Sequence, residues 1–164
     1  IRGLRDSKIL PPLVRARLAL RIRQQALGFG VGAASAHEID RLNIRVATAL
    51  AMRRAIRSLL RRQELAAHPH CILIDGLPLP EIGYPHEALV DGDALCQSVA
   101  AAAILAKTVR DRLMQRLAGR YPVYGWETNV GYGTPEHQMG LSLHGPTPHH
   151  RQSFAPIAQL ALPF

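Results

Sequence analysis

Apolar positions along this chain change their period several times, and each change predicts an element. Leu13, Leu18, Ile22 and Leu27 form a helical stripe after Pro11 and Pro12, with Arg15, Arg17, Arg21 and Arg23 on the rest of the surface. Over residues 28–34 glycine alternates with Phe29, Val31 and Ala33, a period of two that predicts a strand. Ser35 and Glu38 have the spacing of a capping box, so a short helix is expected to start there. Asn43 is placed to cap a longer helix through Ile44, Ala47, Ala51, Ala55 and Leu59, ending at Arg61 and Arg62. The run 71–74 predicts a buried strand that stops at the Asp75-Gly76 turn. Residues 77–87, broken by Pro78, Pro80 and Pro85, predict a loop. Residues 88–90 predict a short edge strand, and the spacing over 95–117 a long helix. Thr134, Pro135 and Glu136 mark a further helix start. Strands alternating with helices indicate an α/β layer structure.

Composition narrows the class. At 164 residues the chain fits one domain, spanning 1–164, and is long enough to bury a core. No apolar run approaches the length of a membrane span, so no membrane partner is expected. The formal charge of +8 and isoelectric point near 10.5 favour a polyanionic partner, because basic groups gain affinity by displacing counterions from phosphates. Cys71 and Cys96 lack metal or redox spacing and read as reduced core residues of a cytoplasmic protein. His68 and His70 have no third ligand in view and are not expected to hold metal.

Candidate chemistry centres on two acids. Asp75 ends a strand and Asp93 begins a helix, an arrangement that can place two carboxylates in one cleft for Mg²⁺ or Mn²⁺. Turn chemistry at Asp75 and helix-start chemistry at Asp93 are the ordinary alternatives. Lys107, Arg110 and Arg112 put basic groups on the helix that follows, where they can meet phosphate. Tyr132 stands between Gly131 and Gly133, which would present its ring at a loop surface for stacking on a sugar or base. Tyr121, Tyr124 and Trp126 are expected to pack. The basic cluster His149-His150-Arg151 reads equally as a phosphate contact or as solvated surface.

Asp75-Gly76, Gly92-Asp93-Ala94-Leu95 and the block 100–111 resemble the central block of bacterial ribonuclease HII. Asp6-Ser7-Lys8, the run 38–44, the run 131–137 and the run 150–156 match the same family in the same order. The resemblance covers nearly the whole chain. It implies a ribonuclease H-like α/β fold, a mixed sheet flanked by helices with a helical carboxyl-terminal portion. The activity it implies is metal-assisted hydrolysis of the phosphodiester 5′ of ribonucleotides, in RNA–DNA hybrids and at single ribonucleotides embedded in duplex DNA. On this resemblance Asp75 and Asp93 are metal ligands with Mg²⁺ or Mn²⁺, Ser7 and Lys8 are backbone contacts, and Tyr132 meets the deoxyribose beside the ribonucleotide. A monomer is expected.

The chain also departs from the family. The family's Asp-Glu pair and Gly-Arg-Gly loop, on a first strand ahead of the Asp-Ser-Lys loop, have no counterpart here. With those first strands missing, the chain is expected to be marginally stable and inactive unless that segment is supplied. Asp91, Ala103 and Asn129-Val130 stand where lysine, serine and His-Lys are common in the family. Two other functions compete, an inactive remnant and a non-catalytic basic DNA-binding module. The module would bind duplex DNA without divalent cation and lose affinity steeply with salt.

Overall fold

The computed structural model describes residues 1–62 and 71–158. The elements in chain order are α1 (Pro12–Gln25), α2 (Ala36–Arg62), β1 (Leu73–Asp75), β2 (Glu87–Leu89), α3 (Gly92–Leu95), α4 (Gln97–Ala118), α5 (Trp126–Asn129), α6 (Pro135–His144) and α7 (Ala155–Ala158). They fall into two compact units. One is Ile1–Ala33 with Thr48–Thr108, the other Ala34–Ala47 with Val109–Phe164. His68 and His70 lie outside the described residues.

Three helix starts follow from short-range chemistry. Oγ of Ser35 accepts from the Glu38 N–H at 3.2 Å while the Glu38 carboxylate accepts from the Ser35 N–H at 2.9 Å, which closes the capping box. Asn43 leaves helical geometry at φ 65°, ψ 166°, and its Oδ1 accepts from the Val46 N–H at 3.1 Å. It thereby turns the chain and caps the second half of α2. Oγ1 of Thr134 accepts from the His137 N–H at 3.3 Å and opens α6, with Pro135 in the first turn.

In the first unit, β1 and β2 pair in parallel with Leu73 opposite Glu87, Ile74 opposite Ala88 and Asp75 opposite Leu89. Among the described residues these two strands make up the whole sheet. Their connection contains a 3-10 turn at Pro80–Ile82. From α2, Arg53 donates Nε to the Ile82 carbonyl at 2.9 Å and Nη2 to the Glu81 carbonyl. Ala49, Ile74, Leu79 and Ile82 bury together beneath the strands. A second cluster joins Leu18, Ala19 and Ile22 of α1 to Ile104 and Leu105 of α4, with Leu10. The second unit has its own core of Ala118, Tyr124, Trp126, Leu141 and Ile157.

Several expectations are corrected. Residues 28–34 form no strand. Instead Gly30 and Gly32 lie against α2, where a Cβ at Gly30 would collide with the Ala55 carbonyl oxygen and one at Gly32 with that of Ala51. The alternating glycines serve a close approach to a helix rather than a ladder. Within the α1 stripe, Leu18 and Ile22 are buried but Leu13 and Leu27 are exposed. Arg15, expected on the solvated face, is buried, donating Nη1 to the carbonyls of Ser7 (2.8 Å) and Leu10 (3.0 Å). The predicted long helix is present as α4, starting at Gln97, and the extended backbone of Cys96 separates it from the short α3. Cys71 precedes β1 and is exposed, with Cys96 half-buried, so neither is a core thiol.

Candidate functional site

At the carboxyl end of β1 the chain turns through Asp75 into Gly76, whose N–H donates to the Leu89 carbonyl of β2 at 2.8 Å. Oδ1 of Asp75 then accepts the N–H of Gly92 at 2.8 Å. Gly92 is buried, and a Cβ there would stand 3.3 Å from that oxygen, 3.2 Å from Cβ of Leu89 and 3.3 Å from Cγ1 of Val99. A bare α-carbon is what allows the amide to seat so closely on the carboxylate. Asp91 makes the corner in the left-handed region, φ 55°, ψ 37°, which aspartate tolerates better than most residues. Its carbonyl accepts from Ala94 and Leu95. The next acid, Asp93, is half-buried in the first turn of α3. One hydrogen bond from the Gly92 backbone N–H to the Asp75 side chain therefore ties the end of β1 to the start of α3, the helix that carries Asp93.

The donor set is hard oxygen, as Mg²⁺ or Mn²⁺ requires. Asp75 spends Oδ1 on Gly92, and among the described residues Oδ2 accepts no hydrogen bond. In number the fit is partial: the described residues bring no group of three or more acidic, His or Cys side chains together. Asp75 and Asp93 thus match a divalent cation in kind and would supply only part of its shell.

The remaining predicted residues are placed as follows. Asp6-Ser7-Lys8 is a turn, with the Lys8 N–H donating to Oδ1 of Asp6 at 2.9 Å. Lys8 is exposed, whereas Ser7 is 6% exposed and its carbonyl is occupied by Arg15. Lys107 is half-buried on α4. In the second unit the structure brings Arg110 and Tyr132 together. The guanidinium carbon of Arg110 lies 5.6 Å from the centre of the Tyr132 ring, and its Nη1 donates to the Val130 carbonyl at 2.8 Å. The Tyr132 ring is about half exposed, at 53% for the residue.

Sequence reasoning missed the supports beneath that loop. Asn129 is buried. Its Nδ2 donates to the Tyr124 carbonyl at 2.7 Å and its Oδ1 accepts the Gly131 N–H at 2.8 Å. Its own carbonyl accepts the Tyr132 N–H at 2.9 Å. His137 accompanies these contacts from α6. The expected packing of Tyr124 and Trp126 holds, at 3% and 1% exposure, with their rings stacked 5.2 Å apart. His150 overturns the basic reading of 149–151. It is buried, and burial together with neighbouring His137 lowers its pKa to about 4, so it is neutral at physiological pH. Nothing in its sequence neighbourhood distinguishes it from exposed His149.

Comparison with known proteins accounts for these features together. The ribonuclease HII family model matches residues 2–157. Ribonuclease HII of Synechococcus sp. (strain JA-3-3Ab) is 54% identical over 158 residues, covering 96% of this chain and 68% of that protein. Ribonuclease HII of Sphingopyxis alaskensis is 51% identical over 162 residues, covering 99% and 78%. That of Desulfitobacterium hafniense (strain DSM 10664 / DCB-2) is 51% identical over 157 residues, covering 96% of this chain and 58% of that protein. The crystal structure of ribonuclease H2 from Pyrococcus horikoshii OT3 superposes with a TM-score of 0.75 at 24% identity, over 96% of this chain and 80% of that one. This last likeness bears out the expected fold. A match along nearly all of the chain, with relatives more than half identical, leaves one conclusion: the chain belongs to the ribonuclease HII family, whose members are ribonuclease H hydrolases.

Proposed function

We propose that this protein hydrolyses the phosphodiester 5′ of ribonucleotides, in RNA–DNA hybrids and at single ribonucleotides embedded in duplex DNA. The observation that supports this reading is the hydrogen bond from the Gly92 N–H to Asp75, one residue before Asp93. Asp75 and Asp93 would hold part of the shell of Mg²⁺ or Mn²⁺, together with water and other oxygen ligands. Such an ion supplies an activated water and neutralises charge on the leaving oxygen. The chain's own residues orient and bind. Gly92 fixes the Asp75 carboxylate, the Lys8 ammonium and the cations of Lys107 and Arg110 supply contacts for phosphate, and Tyr132 offers a ring to the sugar beside the ribonucleotide. Ser7 belongs to this set through its loop, although its burial leaves Lys8 as the exposed member. The single family match supports reading both units as one working nuclease domain. We assign it as a monomer of the cytoplasm. No described helix is long and apolar enough to cross a membrane.

Expressed from its complete reading frame, the protein should cut a duplex carrying one ribonucleotide only when Mg²⁺ or Mn²⁺ is present. Asp75→Asn keeps the acceptor for Gly92 but removes the charge. It should lower cleavage by roughly 100-fold or more while leaving the fold intact by circular dichroism. Undiminished cleavage by Asp75→Asn removes the metal-ligand assignment. Metal-independent duplex binding with a steep salt dependence and no cleavage would establish the DNA-binding module instead.

A further inference from the structure

Behind Tyr132 runs a directed series of hydrogen bonds that the site described above does not use. The backbone N–H of Thr147 donates to Nδ1 of His150 at 2.9 Å. A ring nitrogen that accepts carries no proton, so His150 is protonated at Nε2. That Nε2 lies 3.0 Å from Nε2 of His137, which must accept. The indole N–H of Trp126 reaches the same nitrogen at 3.4 Å. His137 therefore carries its proton on Nδ1, and Nδ1 stands 2.9 Å from the carbonyl oxygen of Tyr132. One backbone amide, which cannot exchange its role, dictates the tautomer of two imidazoles and aims the last N–H at Tyr132.

The surroundings favour this reading. Oγ1 of Thr147 accepts the His149 N–H at 3.2 Å and lies 2.9 Å from His150 Nδ1, so its own hydrogen is a second donor to that nitrogen. His137 and His150 are 6% and 7% exposed. The titratable groups facing them are Tyr124 and His149, with the Trp126 ring beside both. Among the described residues no carboxylate or guanidinium hydrogen-bonds to either imidazole. A proton added to Nε2 of His137 or Nδ1 of His150 would set N–H against N–H.

We propose that His137 and His150 form a tautomer-locked relay that holds the Tyr132 backbone and so positions its ring for substrate. Both are positioning residues. The inference rests on the proposed role of Tyr132, and its tests separate the two. In protein carrying ¹⁵N-labelled histidine, long-range ¹H–¹⁵N spectra at neutral pH should show His150 as the Nε2–H tautomer and His137 as the Nδ1–H tautomer. The opposite tautomer at either ring, or a charged ring at neutral pH, overturns the relay. Kinetics then test its purpose. In protein from the complete reading frame, Tyr132→Ala should lower kcat/KM on a singly ribonucleotide-substituted duplex by roughly tenfold. His137→Leu should produce a similar loss, and no further loss in the Tyr132→Ala background, since no ring is left to position. His137→Asn, whose amide can present an N–H where Nδ1–H stood, should recover most of the activity. Full activity of Tyr132→Ala sinks the Tyr132 reading and this proposal with it. Losses that multiply in the double variant, or a His137→Asn variant no better than His137→Leu, overturn the relay and leave Tyr132 standing. Where His137→Leu fails to fold, the tautomer spectra and His137→Asn decide.

Discussion

Val130 sits at φ 44°, ψ 35°, in the left-handed region. A β-branched side chain there loses roughly 1–2 kcal/mol against the right-handed conformation. The strain is held from both sides. Asn129 bonds to Tyr124 and Gly131, and Arg110 takes the Val130 carbonyl. Strain of this kind concentrates where a loop must present a particular side chain, and Tyr132 follows two residues on. Val130→Asn, which tolerates the left-handed conformation, should raise stability by about 1 kcal/mol in urea denaturation. A less stable Val130→Asn would show that packing of the valine outweighs its strain. The departure from family habit at Asn129-Val130 was visible in the sequence. Its conformational consequence was not, because φ is imposed by hydrogen bonds to Arg110 and Tyr124, outside that segment.

At the level of elements, local signals are legible in the sequence and remote ones are not. The caps at Ser35, Asn43 and Thr134 each depend on a partner three residues on, so the sequence contains both halves of the interaction. The segment 28–34 had only its own period of two. That period describes any extended backbone with one face against something, whether a strand or a helix. Here the neighbour is the Ala51, Ala55 and Leu59 row of α2. Gly30→Ala should therefore destabilise by about 1–3 kcal/mol, because the obstruction is backbone and cannot step aside. Chemical denaturation that finds the variant as stable as wild type would mean the segment does not seat on α2. Asp40 shows the same limit across a longer distance. Its carboxylate accepts the N–H of Gln152 at 3.0 Å and both the N–H and Oγ–H of Ser153 at 2.9 and 2.7 Å, holding the turn that precedes α7.

Across the molecule these buried and clamped groups set a pH dependence. Burial and the neighbouring His137 lower the His150 pKa to about 4, against about 6.5 in an unfolded chain. The unfolded state thus binds the proton first as pH falls, and stability declines from about pH 6.5 towards about pH 4, with a slope of up to about 1.4 kcal/mol per unit. Asp40 acts lower on the scale. Partial burial pushes its carboxyl up, but the hydrogen bonds from Ser153 and Gln152, with His37 nearby, bring it below its ordinary 3.8. Its contribution is present above that value and is lost as pH falls through the lowered one. Urea denaturation from pH 7.5 down to about pH 2 should show both losses, and His150→Gln should flatten the first. An unchanged slope in that variant would assign the loss elsewhere.

What the sequence determined by itself was whatever its own short stretches contain: the helix starts, the turn at Asp75, the exposed ring of Tyr132 between glycines, and the family likeness carried by collinear motifs. Tertiary structure decided the burial of Arg15 and His150, the seating of Gly30 on a helix, and the direction of every proton behind Tyr132. The physical reason is range. A cap or a turn is closed by neighbours in the chain. A buried charge, a close backbone approach or a histidine tautomer depends on which distant groups the fold brings within contact or hydrogen-bonding distance, about 3 Å, and no local pattern records that.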